Sequence, residues 1–194
     1  MVSEGKKKRK KRREININQM EIDDIPSVYH LGEKLFTSEE APILYRTWDP
    51  YEVTGHYTSD PEYCLVAQSD GVVVGFILAT TIEKEGTAWK KYGYLSWIAV
   101  DENFQRAHVA TRLYRKLEDK LLHAGVRMII ADTDRDNREA LGFFTAINFS
   151  LRAEHIWLSK TLRRPPRKPG RKEIEEAAAP GRAEEREQVA RTGS

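Results

Sequence analysis

The most constraining feature of this chain is the run from Tyr92 to Ala131, which admits few folds. Tyr92–Val100 (YGYLSWIAV) is rich in aromatic and β-branched residues and reads as a strand. The polar, turn-like segment Asp101–Arg106 follows, and then a helix from about His108 to Ala124. In that helix Val109, Leu113, Leu117 and Leu121, with Ala110 and Tyr114, make one apolar stripe, while Arg112, Arg115, Lys116, Asp119 and Lys120 face out. Gly125 is placed to end it in the left-handed conformation, and Val126–Ala131 reads as the next strand. A strand, a long amphipathic helix and a second strand make a βαβ unit, so part of the sheet must be parallel.

The flanking segments fix the rest of the class. Ile15–Met20 alternates as a first strand, and Asp23 or Asp24 can cap a helix through about Leu35, with Val28, Leu31 and Leu35 at helical spacing. Phe36–Pro42 reads as a turn opening a second short helix toward Trp48. Tyr63–Gln68 and Val72–Ile82 form a hairpin around the tight turn Ser69-Asp70-Gly71. Beyond the parallel unit, Asp136-Asn137-Arg138-Glu139 is a capping box for a helix to about Ile147, and Leu151–Leu158 reads as a closing strand. The expected fold is therefore mixed α/β (α+β), a mostly antiparallel central sheet with helices on both faces.

Charge is divided along the chain. Residues 1–13 hold eight Lys/Arg against Glu4 alone, and residues 163–194 hold nine against six Glu, so the body between them carries 15 basic and 23 acidic side chains. We expect a disordered basic tail over 1–13, a folded domain over 14–162 and a disordered charged tail over 163–194. An acidic body suits attraction of cationic amines and disfavours nucleic acid, except through Lys6–Arg13, where the alternatives are an import signal, a polyanion contact or a solvated tail. Cys64 is the single cysteine, which excludes an intrachain disulfide and a thiolate cage, and an inert buried thiol is expected. The five histidines show no ligand spacing, so no metal is expected. With no apolar run long enough to span a membrane, no membrane partner is expected and a cytoplasmic location is the simple reading.

The junction from strand to long helix also offers chemistry. Gln105–Ala110 leads into a helix start whose unpaired amides and positive dipole end favour a phosphate, and Ala107 and Ala110 let a ligand approach the backbone. Ile98-Ala99-Val100 followed by Gln105-Arg106-Ala107-His108-Val109-Ala110, and then Asn137, Ala140, Phe143-Phe144 and Asn148-Phe149, resembles the two signature blocks of the Gcn5-related N-acetyltransferases. The likeness is dense over residues 92–150 and looser over 14–160.

That resemblance implies the acyl-CoA N-acyltransferase (GNAT) fold and a transfer of the acetyl group from acetyl-CoA, the cosubstrate, to a primary amine of a protein N-terminus, a lysine or a small molecule. It implies that the amides of Arg106, Ala107, His108, Val109, Ala110 and Thr111, after Gln105, hold the pyrophosphate. The backbone of Ile98, Ala99 and Val100 would pair with the pantetheine arm, an amide near Ile98 or Ala99 would hold the oxyanion, Asn137 would bond the arm, and Phe144 would pack by the sulfur.

Three positions depart from the family pattern. His108 and Asn148 stand where glycine is usual, and Phe144 stands where a tyrosine often protonates the leaving thiolate. A side chain at His108 would crowd the phosphates, demand another local backbone conformation, or donate a hydrogen bond. A CoA-binding sensor or interaction module without catalysis is the alternative these departures support. For the base, the resemblance puts Tyr94 at the strand position where the histone-modifying branch of the family carries a glutamate. Tyr92, Tyr94 and Ser96 share one strand face and Asp132 with Asp134 another, so a water-relayed base could come from either set. Tyr94 and Asp132 are the catalytic candidates, with packing or helix capping the alternative for each. Glu39 and Glu40 either face the acceptor or cap a helix, and His123 and His155 read as structural. A homodimer is left open.

Overall fold

In a computed structural model of the chain, residues 14–36, 47–151 and 153 are described. The chain divides into units of residues 1–150 and 151–194, and every element below belongs to the first. The expected closing strand Leu151–Leu158 and the turn at Phe36–Pro42 lie largely outside the described residues, as do Glu39, Glu40 and His155.

Five strands form one sheet in the order of the chain: β1 (Asn16–Gln19), β2 (Cys64–Ser69), β3 (Val72–Glu83), β4 (Lys91–Val100) and β5 (Met128–Ala131). The first four pair antiparallel, and β5 pairs parallel to β4. Helices α1 (Ile25–Leu35) and α2 (Pro50–Ser59) precede β2, α3 (Val109–His123) joins β4 to β5, and α4 (Arg138–Ala146) follows.

Strand alternation sorts the core into two layers. Leu65, Ala67, Ile77, Ala79 and Leu95 face α3 and pack on Val109, Leu113, Leu117 and Leu121. Cys64, Val66, Phe76, Leu78 and Trp97 face the other way, onto Val28 and Leu31 of α1, Trp48, and Val53 of α2. The helices on both faces are thus explained by a sheet apolar on both sides. At Gly93 a Cβ would stand 2.8 Å from Leu121 Cδ1, so any larger residue there would push the Leu121 side chain of α3 aside.

Several boundaries move. Helix α2 was not anticipated, although Asp49-Pro50 announces it: Asp49 Oδ1 accepts from the Tyr51 and Glu52 amides and Pro50 sits in the first turn. Its weakly amphipathic sequence, with only Val53 fully buried, hid it from periodicity. Val126 is buried but precedes β5, which starts at Met128. Helix α4 is capped by Asn137, whose Oδ1 accepts from the Ala140 amide, so the box centred on Asp136 does not form and Glu139 sits one position early for it. On α3, Arg112 and Lys116 do not simply face solvent: they donate to the carbonyls of Ile15 and Ile17 at 2.7 and 2.6 Å, covering backbone beside the β1 edge strand.

Candidate functional site

The site is prepared by an irregularity in β4. Leu78 of β3 faces Trp97 and Ala79 faces Leu95, which leaves Ser96 as an extra residue, a β-bulge. Two consequences follow. Side-chain parity changes at the bulge, so the expected shared face holds for Tyr92 and Tyr94 but stops at Ser96. Pairing with β5 also ends there, since its last partners are Leu95 and Ala131. From Ser96 to Val100, β4 keeps β3 on one side and has no described strand on the other.

The open edge can be resolved into atoms. The Asp101 amide donates to the Val74 carbonyl at 2.9 Å, and Ala99 lies opposite Phe76. In an antiparallel ladder, hydrogen-bonded pairs alternate, so Ala99 turns its amide and carbonyl to β3, whereas Ile98 and Val100 turn theirs into the gap beside β5. Ile98 and Val100 are therefore the positions able to pair with an extended ligand, and Ala99 is not.

Past Val100 the chain enters the loop leading to α3. Asp101 shapes it: its Oδ1 accepts from the Asn103 amide and side chain at 2.9 Å, and its Oδ2 from Lys34 of α1 at 3.2 Å. The Asn103 hydrogen bonds, joined by Lys34, hold the Asp101 carboxyl below its usual range against a smaller effect of burial. Arg106 and His108 both have positive φ, 60° and 57°. His108 precedes α3 in the left-handed conformation, so the histidine keeps the backbone that glycine would adopt most easily, at a cost of about 1 kcal/mol. The first helical bond runs from the Arg112 amide to the His108 carbonyl, which leaves the Val109, Ala110 and Thr111 amides ahead of it without helical partners. Gln105, Arg106, Ala107 and His108 are exposed beside them. The loop thus presents unpaired N–H groups at a dipole's positive end, an arrangement suited to a pyrophosphate.

Where β4 pairs with β5, the structure brings the two catalytic candidates together. Tyr94 lies opposite Ile130 in the parallel register, and Asp132 is two residues further along the same face. The Tyr94 hydroxyl donates to Asp132 Oδ1 at 2.5 Å. Asp134, expected to share that face, lies past the strand and instead accepts from the Asp136 amide at 2.8 Å. Across the sheet Tyr94 faces Thr80, whose hydroxyl donates to Asp60 Oδ2 at 2.5 Å. One turn earlier on α2, burial pushes the His56 imidazole down in pKa, opposed by Glu52, Asp60 and the Ala79 backbone.

The remaining candidates have plain positions. Asn137 Oδ1 is engaged in capping α4, which leaves the cap bond to the oxygen and its Nδ2 outside it. Phe144 is half-buried, its ring 5.4 Å from Phe143 and 5.1 Å from Phe149. Asn148, the second glycine departure, holds φ at 68°. Cys64 is fully buried and its thiol is pushed up to about 12, chiefly by burial, which makes it inert at neutral pH. His123 donates from Nδ1 to the Asp119 carbonyl at 2.6 Å in its own helix, a structural role.

A mixed sheet with a bulged fourth strand, an open edge beyond the end of its parallel partner, and a phosphate-ready helix start are the features of an acyl-CoA-dependent N-acyltransferase. Residues 25–149 match the model of the acetyltransferase (GNAT) family, and the chain belongs to that family. It is an N-acetyltransferase, of a family that uses acetyl-CoA and acts on amines. A curated relative, N-alpha-acetyltransferase 30 of Dictyostelium discoideum, is 23% identical over 141 residues, 71% of this chain and 75% of its own. Among solved structures, an aminoglycoside N-acetyltransferase, AAC(6')-Iy, in complex with CoA shares the fold with a TM-score of 0.62 at 20% identity, covering 78% of this chain and 98% of its own. Ard1 of Thermoplasma volcanium shares it with a TM-score of 0.58 at 24% identity, over 72% and 84% of the two chains.

Proposed function

We propose that the chain transfers acetyl from acetyl-CoA to the α-amine of a protein or peptide, with the Tyr94–Asp132 pair taking the amine's proton. The observation that carries the reading is the 2.5 Å hydrogen bond between these side chains, beside the closed end of the gap between β4 and β5.

This reading gives the cosubstrate a direction. Its pyrophosphate would rest on the Val109, Ala110 and Thr111 amides, with Arg106 adding charge, and its pantetheine arm would pair with Ile98 and Val100. The thioester then points from Val100 back toward the bulge and Tyr94. The amine nitrogen attacks the thioester carbon, the Ile98 amide holds the developing oxyanion, and the carbon–sulfur bond breaks as CoA thiolate leaves. The proton released by the amine passes to the Tyr94–Asp132 pair, directly or through one water. Phe144 offers no proton to the thiolate, so solvent must supply it.

Proton chemistry favours an α-amine over a lysine. An α-amine with a pKa near 7.7–8.0 is roughly a fifth to a third neutral at pH 7.4, whereas a lysine near 10.4 is neutral about once in a thousand. A hydrogen-bonded tyrosine and carboxylate suffice for the former. The name of the Dictyostelium relative agrees with this acceptor class, and the acidic body attracts an ammonium.

The test is acetyl-CoA-dependent thiol release with three acceptors: peptides with a free N-terminus and no lysine, N-terminally blocked peptides with one lysine, and an aminoglycoside. Turnover of the first above the others is expected. Preference for the blocked lysine peptide or the aminoglycoside contradicts the α-amine assignment.

A further inference from the structure

Glu52 lies on α2, outside the pair assigned to proton transfer and outside the cofactor loop, yet it holds the first residue after the bulge. Trp97 Nε1 donates to Glu52 Oε2 at 2.8 Å. The indole is otherwise enclosed by aromatic rings: its centroid is 4.8 Å from that of Phe36 and 5.1 Å from that of Trp48, which stacks on Phe76 at 5.4 Å. Trp97 is 8% exposed, so its N–H needs an acceptor within the fold, and α2 supplies one.

We propose that Glu52 is a positioning residue for the transfer, acting through Trp97 to hold the β4 bulge and thereby aim the Ile98 amide into the gap. The inference rests on the reading of Ile98 and Val100 as the cosubstrate's edge. Its physical basis is the parity change at Ser96. Trp97 faces α2 only because the extra residue is present, and absorbing that residue into regular pairing would turn Trp97 toward α3 and reverse the directions of the Ile98 and Val100 backbone groups. The Glu52 hydrogen bond and the aromatic enclosure together oppose that slip. A second tie acts in the same sense one strand away, where Asp60 at the other end of α2 accepts from Thr80. Helix α2 therefore grips β3 and β4 on either side of the bulge register.

Glu52 bonds the indole as a hydrogen-bond acceptor, and glutamine retains an acceptor of the same reach. Glu52→Ala is expected to lower kcat about a hundredfold, the scale of a misplacement of about 1 Å at the reacting centre, and to weaken acetyl-CoA binding severalfold. Glu52→Gln is expected to restore both and to leave the pH profile of kcat/KM unchanged. Trp97→Phe, which removes the donor and keeps an aromatic ring, should resemble Glu52→Ala. All are measured well below the melting transition, with near-UV circular dichroism confirming a folded chain.

A folded Glu52→Ala enzyme with wild-type kcat and acetyl-CoA affinity overturns the proposal. So does a Glu52→Gln enzyme as impaired as the alanine variant, because that outcome makes the carboxylate itself the working group. Calorimetric binding of acetyl-CoA separates this inference from the transfer reading. If the wild type binds but acetylates no amine, the proposed function fails, while loss of affinity in Glu52→Ala and its recovery in Glu52→Gln still uphold the coupling.

Discussion

The middle of β4 and its C-terminal end are built from different materials. At its C-terminal end the cofactor loop offers main-chain groups, the Ile98 and Val100 edge and the amides opening α3, whose directions depend on backbone conformation more than on side-chain identity. Near its middle, where the proposal puts the acceptor, the sheet offers side chains: Tyr94 on Asp132, Thr80 on Asp60, Trp97 on Glu52. A backbone site tolerates substitution as long as φ and ψ survive, which is how His108 replaces a glycine and keeps the turn. A side-chain site changes its chemistry with a single atom.

The sharpest way to break this contrast is Tyr94→Phe, which deletes one hydroxyl. The account expects kcat to fall about 10²–10⁴-fold with little change in acetyl-CoA affinity, measured by thiol release and calorimetry. A smaller effect of the opposite kind is expected from Ala110→Glu, which puts a carboxylate at the helix start. Acetyl-CoA affinity should drop about ten- to a hundredfold, or about 1.4–2.7 kcal/mol, while kcat at saturation is retained. His108→Gly should raise stability by about 1 kcal/mol or less, through release of the left-handed cost against a looser unfolded chain, and should leave acetyl-CoA affinity within about threefold. Denaturant titration of the two chains reads it.

The same contrast governs what the sequence made legible. The βαβ unit was readable because α3 repeats an apolar residue every fourth position and β4 is dense in β-branched and aromatic residues, patterns that packing on both sheet faces demands. The loop stood out because Gln105–Ala110 resembles the first signature block of the family; a helix start by itself has unpaired amides whatever its sequence. Helix α2 was missed because it rests on the sheet by hydrogen bonds that Glu52 and Asp60 accept and by a single buried apolar residue, which leaves no stripe to count. The bulge was invisible for a related reason: Gly93, Leu95, Trp97 and Ala99 are all buried, so alternation looks regular while the faces exchange between Leu95 and Trp97. Tyr94 was named from the family resemblance and Asp132 as a separate candidate on the next strand, and their meeting depends on the parallel register of β5, which no local pattern encodes.

The smallest predicted effect is a pH dependence. The Asp101 carboxyl titrates below its ordinary value in the folded chain, so its contribution is fully present above the unfolded value, near 3.9 for an aspartate, and is lost as pH falls through the folded one. Asp101→Asn should therefore flatten part of the acid limb of the stability curve below about pH 4, with a slight loss of acetyl-CoA affinity at neutral pH as the loop loosens. Thermal melts from acid to neutral pH check the first, and calorimetry the second.

The central claim is that backbone amides at the β4 edge and the start of α3 receive the cosubstrate. Amide hydrogen exchange of the full chain with and without saturating acetyl-CoA addresses it directly. The account predicts slowed exchange at Ile98, Val100 and Val109–Thr111, with little change at the amides of α2. Unchanged exchange at those positions, with protection elsewhere or none at all, contradicts it.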